Sequence, residues 1–104
     1  MDKRSVLAII RRFRRALEKR GVEAPRIVLF GSWANGTAHP GSDIDLVVIS
    51  ETFQGKGYWE RIDILTDAVY ELFEPIEAVA FTPEEWERGD SLIADLARAG
   101  EAQE

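Results

Sequence analysis

Asp43 and Asp45 stand two apart in the run DIDLVVI, residues 43–49. The run is rich in β-formers and reads as a strand. Residues two apart on a strand point to the same side, roughly 6–7 Å apart along the backbone. The two carboxyl groups therefore converge over one face, with Ile44 and Leu46 on the other. Converging carboxylates repel, so a cation-free protein favours protonating one of them. A divalent cation removes that conflict, and hard oxygen donors of this kind suit Mg²⁺ or Mn²⁺. Upstream, Gly31-Ser32 directly follows a second β-run, RIVLF at 26–30. Glycine there lets backbone approach a ligand closely, and a short helical turn starting after it offers N–H donors, with the Ser32 hydroxyl, to a phosphate. A third carboxylate, Glu77, is the second residue of IEAVAF, 76–81, where an apolar residue or Thr is expected. If that strand lies beside 43–49, Glu77 joins the aspartates, where it can bind a metal and take a proton from an attacking hydroxyl.

Each feature also has a plainer reading. Asp43 and Asp45 alone are compatible with a solvated sheet face, Glu77 with a charge that protects an edge strand, and Ser32 with an N-cap. It is the combination, with ten residues separating Ser32 from Asp43, that argues for a site. His39 is the only histidine and reads as a loop residue, and Trp33 as packing beside the turn rather than as a platform for a base.

The elements that must position these residues follow from periodicity. Residues 3–20 read as a helix with Val6, Ile9, Ile10, Phe13 and Leu17 on one apolar stripe, ended at Gly21. Residues 33–42 hold Asn35, Gly36, Pro40 and Gly41 and read as loop with one helical turn after Ser32. Residues 50–57 are a polar loop. Residues 58–73 carry Trp59, Ile62, Leu65, Val69, Leu72 and Phe73 near the helical period, and Pro75 ends that helix. Thr82, Pro83 and Glu85 form a capping box with proline in the first helical position, opening a last helix expected to run to about residue 98. The expected fold is α+β, in the order α-β-β-α-β-α, with a small mixed sheet of about three strands and helices packed on one face.

With 104 residues the chain suits a single domain over 1–104. Without cysteine it has no disulfide or thiolate metal site. No stretch approaches the roughly 18 apolar residues of a membrane span, and no signal-peptide pattern opens the chain, so a cytoplasmic protein is the default expectation. The net charge of -6 is uneven: residues 1–20 hold eight Lys/Arg and two Asp/Glu, the remainder five and seventeen. An acidic chain is a poor nucleic-acid binder, so nucleic acid is not expected as a direct partner. The basic helix reads as a solvated face, or otherwise as a surface for an acidic partner or a nucleic acid.

Gly31-Ser32, the ten-residue interval, Asp43-Ile44-Asp45 and the acidic third strand together resemble the DNA polymerase β-like nucleotidyltransferase superfamily. The chain length resembles its minimal nucleotidyltransferase (MNT) branch. The resemblance covers roughly residues 26–82 and implies a role for each position. Gly31 and Ser32 hold a nucleoside triphosphate, Asp43 and Asp45 bind two Mg²⁺, and Glu77 is the third metal and catalytic carboxylate, positioning the acceptor hydroxyl. The implied reaction moves a nucleoside monophosphate, AMP from ATP, to that hydroxyl and releases pyrophosphate. Relatives carry arginine where Asn35 stands and aspartate where Glu77 stands.

The stretch after the third strand suffices for one helix, so the acceptor is expected in trans, on another protein or a second copy in a homo-oligomer. In the MNT branch the resemblance implies a HEPN partner, an all-helical toxin, with the MNT chain its antitoxin by AMP addition to a tyrosine. Two rivals remain: a binding module that neutralises its partner by occlusion, favoured by Asn35 and Glu77, and a subunit of an antibiotic-type small-molecule nucleotidyltransferase.

Overall fold

The computed structural model describes residues 1–89 and 91–103. Helix α1 spans Lys3–Lys19 and starts where the Asp2 carboxylate accepts the Ser5 N–H at 2.8 Å, an N-cap that satisfies one of the helix's orphan donors. Its buried stripe is Val6, Ile9, Ile10, Phe13, Ala16 and Leu17, the expected residues plus one alanine. Strand β1, Arg26–Phe30, leads into the single turn α2, Ser32–Asn35, and a loop returns the chain as β2, Ile44–Ile49. Glu51–Phe53 forms a 3-10 turn. Helix α3, Tyr58–Leu72, then carries the chain back to β3, Ile76–Phe81. Helices α4, Pro83–Arg88, and α5, Leu92–Ala97, precede β4, Glu101–Gln103.

The sheet runs β3-β2-β1-β4. β1 pairs antiparallel with β2 and β4, while β2 and β3, joined through α3, are parallel. The chain is thus α+β with the expected mixed sheet. It has a fourth, three-residue strand beyond the three expected. Ile44, Leu46 and Val48 alternate into the main core beneath α1 and α3, with Phe13, Leu17, Phe53 and Leu65. Burial of each large side chain here is worth roughly 1.5–3 kcal/mol.

The opposite face is also covered. Val28, Val47 and Ile49 pack against Trp86 of α4 and Ala94 and Ala97 of α5. Helices therefore lie on both faces, α1 and α3 on one and α4 and α5 on the other. The cause is a break in the expected last helix. Its capping box forms as read: Thr82 Oγ1 accepts from Glu85 N–H at 3.1 Å, and Glu85 Oε1 accepts from Thr82 N–H at 2.9 Å. But Gly89 takes the left-handed conformation at φ +65 and closes α4, and Ser91 caps a new helix by accepting from Ala94 N–H. Glycine adopts this conformation without the Cβ penalty other residues meet.

The basic residues of α1 are mostly structural clamps. Lys3 pairs with Glu101 at 3.0 Å, Arg12 with Glu74 at 3.4 Å and Arg20 with Glu71 at 2.8 Å. The Arg14 guanidinium donates to the carbonyls of Pro25 and Gln103, fastening β1 and β4 to the helix. Arg4, Arg11 and Arg15 remain exposed. Among the described residues no helix is long and apolar enough to cross a membrane.

Candidate active site

Pairing places Phe30, Asp45 and Glu77 in one row across β1, β2 and β3. The next row on that face is Val28, Val47 and Val79. Adjacent strands lie about 4.8 Å apart, so Asp45 and Glu77 are side-by-side neighbours, as the strand reading required. This is the face that α4 and α5 cover, but they stop short of the carboxylate row. A cavity of about 350 Å³ is left there, lined by Phe30, Gly31, Asn35, Asp45, Glu77, Val79, Ile93 and Leu96. Its floor is acidic and its walls apolar.

Gly31 makes this geometry possible. Its backbone sits at φ 72, ψ -154, a region essentially confined to glycine. A Cβ there would stand 2.3 Å from Asp45 Oδ2. The turn thus presses main chain directly against the central aspartate. The α2 turn closes as Ala34 and Asn35 N–H donate to Gly31 O at 3.0 and 3.1 Å, and at its head the N–H groups of Ser32 and Trp33 lack partners within the helix. Ser32 lines a neighbouring recess with Lys3, Trp33 and Gly36 and is not among the residues lining the carboxylate cavity. Asp43 lies one residue before β2 and is exposed. Gly31, Asp45 and Glu77 are therefore brought together directly, while Ser32 lines the neighbouring recess and Asp43 is exposed ahead of β2.

The loop from α2 to β2 is braced internally. Trp33 packs on the main core, and its Nε1 donates to Ser42 O at 3.3 Å. His39 Nδ1 accepts from Gly41 N–H at 3.2 Å, and Ser42 Oγ accepts from His39 N–H at 2.9 Å. Both residues serve the loop that delivers Asp43. Asn35 Oδ1 accepts from Thr37 N–H and from its hydroxyl, at 3.1 and 2.6 Å.

The sequence model of the nucleotidyltransferase domain family matches residues 10–99. The chain belongs to that family. Its fold is shared with the crystal structure of a candidate nucleotidyltransferase from Sulfolobus solfataricus: TM-score 0.68, 15% identity, 83% of this chain and 75% of that one. A second structure of a candidate nucleotidyltransferase aligns with TM-score 0.57 at 23% identity, over 76% of this chain and 84% of the other. No curated protein matches the sequence. The chain's sheet and helices are those of the polymerase β-like nucleotidyltransferase fold.

Electrostatics single out Asp45 within this nucleotidyltransferase domain. Burial pushes its carboxyl above the ordinary carboxylate value, and the negative charges of Glu77 and then Asp43 push it further. Carboxylate oxygens gathered around Asp45 are donors of the kind a hard divalent cation takes. Among the described residues, however, no three acidic or imidazole side chains are drawn close enough to enclose a metal ion. Asp45 and Glu77 are adjacent, while Asp43 stands off at the strand's mouth. Four lining residues were not singled out from the sequence. Phe30 and Val79 follow from strand alternation once the Asp45 face is chosen. Ile93 and Leu96 depend on the break at Gly89, which hydrophobic periodicity does not reveal.

Proposed function

We propose that this nucleotidyltransferase domain transfers a nucleoside monophosphate from a nucleoside triphosphate, AMP from ATP, to a hydroxyl in a divalent-metal-dependent reaction. The observation that carries the reading is the Asp45–Glu77 row beside the glycine turn, with Asp43 raising the same carboxyl's pKa. Asp43, Asp45 and Glu77 would hold Mg²⁺, or Mn²⁺, and bound cations would supply charge neutralisation for the triphosphate and the departing pyrophosphate. Gly31 and Ser32 would seat the phosphates against the head of α2. Glu77, at the outer end of the row, accepts the proton as the hydroxyl oxygen bonds to the α-phosphorus and the bond to the pyrophosphate oxygen breaks. By resemblance to the MNT branch, the acceptor is a tyrosine of a HEPN-type helical toxin, and the chain is its antitoxin.

A second reading is a binding module that silences its partner by occlusion. It is favoured by the open spacing of the three carboxylates and by Asn35, which faces the cavity with no charge to offer a phosphate. One experiment separates the two. The chain is incubated with Mg²⁺, labelled ATP and the product of a neighbouring gene, and the partner is weighed by mass spectrometry. Transfer adds one nucleotide, and Asp43→Asn and Asp45→Asn abolish it. Equal labelling by both variants refutes the metal-site assignment. Silencing without any labelling establishes the binding module.

A further inference from the structure

A triphosphate adds its own negative charge to a site already lined by Asp45 and Glu77, so positive charge beside the glycine turn favours its binding. The chain around the turn supplies none from its side chains. Residues 27–55, from β1 through α2 and β2, contain no Lys or Arg. Neither β3, Ile76–Phe81, nor α5, Leu92–Ala97, contains one. Asn35 ends α2 without a charge.

The recess on the other side of the turn does have a cation in its wall. It measures about 240 Å³ and is lined by Lys3, Ser32 and Gly36 among others. Gly31 lines the carboxylate cavity and Ser32 the recess, so the two openings adjoin at one peptide link. Among the described residues lining either, Lys3 alone is basic. Lys3 is the first residue of α1, and Val6, Ile9 and Ile10 in the main core fix where that end of the helix lies.

The Lys3 ammonium donates to Glu101 Oε1 and Oε2 at 3.0 and 3.1 Å. Glu101 pairs opposite Leu29, two residues before Gly31. The two side chains are 40% and 44% exposed, and an ion pair in that much water is worth little. The buried cations are committed differently. Arg61, 17% exposed, bonds to Glu85 and to the carbonyls of Phe53 and Lys56. Lys3 has one partner, and a flexible lysine stem lets its three donors turn to another acceptor.

We propose that Lys3 is the phosphate-binding cation of this domain. When a triphosphate binds, the ammonium leaves Glu101 and donates to the outer phosphates beside Ser32. The inference rests on the nucleotidyltransferase reading of the site and adds the positive charge that Asn35 does not bring. Glu101 holds the ammonium next to the recess in the nucleotide-free chain and competes with phosphate for it.

The test is calorimetric titration of the full chain with ATP and, separately, with inorganic tripolyphosphate, both with Mg²⁺ and without acceptor. Lys3→Gln weakens both about tenfold, the order of one charge-assisted hydrogen bond, and Lys3→Arg keeps near-parent affinity. Glu101→Gln distinguishes a ligand from a clamp. It breaks the same ion pair but leaves the ammonium, so it tightens ATP binding about two- to threefold by removing a surface competitor. If the parent binds ATP and Lys3→Gln binds it equally well, the inference is overturned and the nucleotidyltransferase reading stands. Equal weakening by Lys3→Gln and Glu101→Gln overturns it too, because the pair then acts only by holding β4. A parent that binds neither polyphosphate overturns the reading of the site, and the inference falls with it.

Discussion

Gly31→Ala tests whether the glycine turn and the central aspartate act as one unit. Two costs are separable. The backbone at φ 72, ψ -154 lies where a Cβ carries strain of about 1–3 kcal/mol. The new methyl would also stand 2.3 Å from Asp45 Oδ2 and 3.1 Å from its Cγ, so the carboxylate must swing aside by about 1 Å to restore ordinary contact, at about 0.5–1.5 kcal/mol for an off-rotamer side chain. The expected total is about 2–4 kcal/mol. A domain with about 5–15 kcal/mol of stability tolerates that. The variant folds but presents a misplaced Asp45 carboxylate, and under the proposed function a displacement of that size costs about 100-fold in turnover.

The assay is urea unfolding of four proteins: parent, Gly31→Ala, Asp45→Ala and the double variant. Asp45→Ala removes Oδ2 and Cγ and leaves only the Cβ, 3.3 Å from the position the new methyl takes. In that background Gly31→Ala should cost the backbone strain alone, giving a coupling of about 0.5–1.5 kcal/mol, above the roughly 0.3–0.5 kcal/mol within which independent sites add. Equal penalties in both backgrounds would refute the claim that Gly31 is glycine because of Asp45.

Asp45→Asn should act oppositely on stability and on chemistry. Asp45's folded pKa is raised, so the native state holds its proton more tightly than the unfolded chain, and stability falls as pH rises through that window. Without metal the variant should therefore melt higher than the parent at about pH 7 and alike below about pH 4, by calorimetry, while Mg²⁺ binding and transfer are lost. Glu85 has the reverse sign. The Arg61 guanidinium, bonded to it at 2.6 Å, holds its carboxyl below the usual range. Its contribution is full above the ordinary glutamate pKa and is lost as pH falls through the lowered folded value. Glu85→Gln should cost about 1–2 kcal/mol at neutral pH and flatten the acid limb of the stability curve. Asn35→Arg should place a cation by the Asp45–Glu77 cavity and lower the KM for ATP about tenfold, at about 0.5–1 kcal/mol for the lost bonds to Thr37. An unchanged KM would show that Asn35 does not face the phosphates.

The strands were legible because their signals are local. RIVLF and IEAVAF are bounded by turn residues and become β1 and β3 at the bounds read from sequence. Period-two alternation alone put Asp45 opposite Ile44 and Leu46. Pairing Asp45 with Glu77 needed one non-local assumption, that the strands at 43–49 and 76–81 are neighbours. The helix between them satisfies it, as a crossover is what parallel neighbours require. Three features were not legible. β4 is too short for a periodic signal. The Gly89 break hides in a stretch whose apolar positions continue on both sides. That Ser32 lines the recess beside Lys3 depends on how one turn rolls, which no pattern of residue types records.

The missed break bears on function more than the missed strand. A continuous helix from Pro83 would project past the end of β3 and leave Trp86 as the sole helical cover from this segment on Val28 and Val47. Ending α4 at Gly89 folds α5 back, so that Ala94 and Ala97 lie against the sheet while Ile93 and Leu96 overhang the cavity. The same fold-back buries the row behind Asp45, and burial is the first cause of that carboxyl's raised pKa. The apolar segment that stabilises this face thus also tunes the central carboxyl group. Replacing Leu96, 57% exposed, with serine should spare the fold yet admit water beside Asp45 and lower its pKa. If NMR titration of the metal-free protein finds that pKa unchanged, α5 is only a cover, and the perturbation belongs to Glu77 and Asp43 alone.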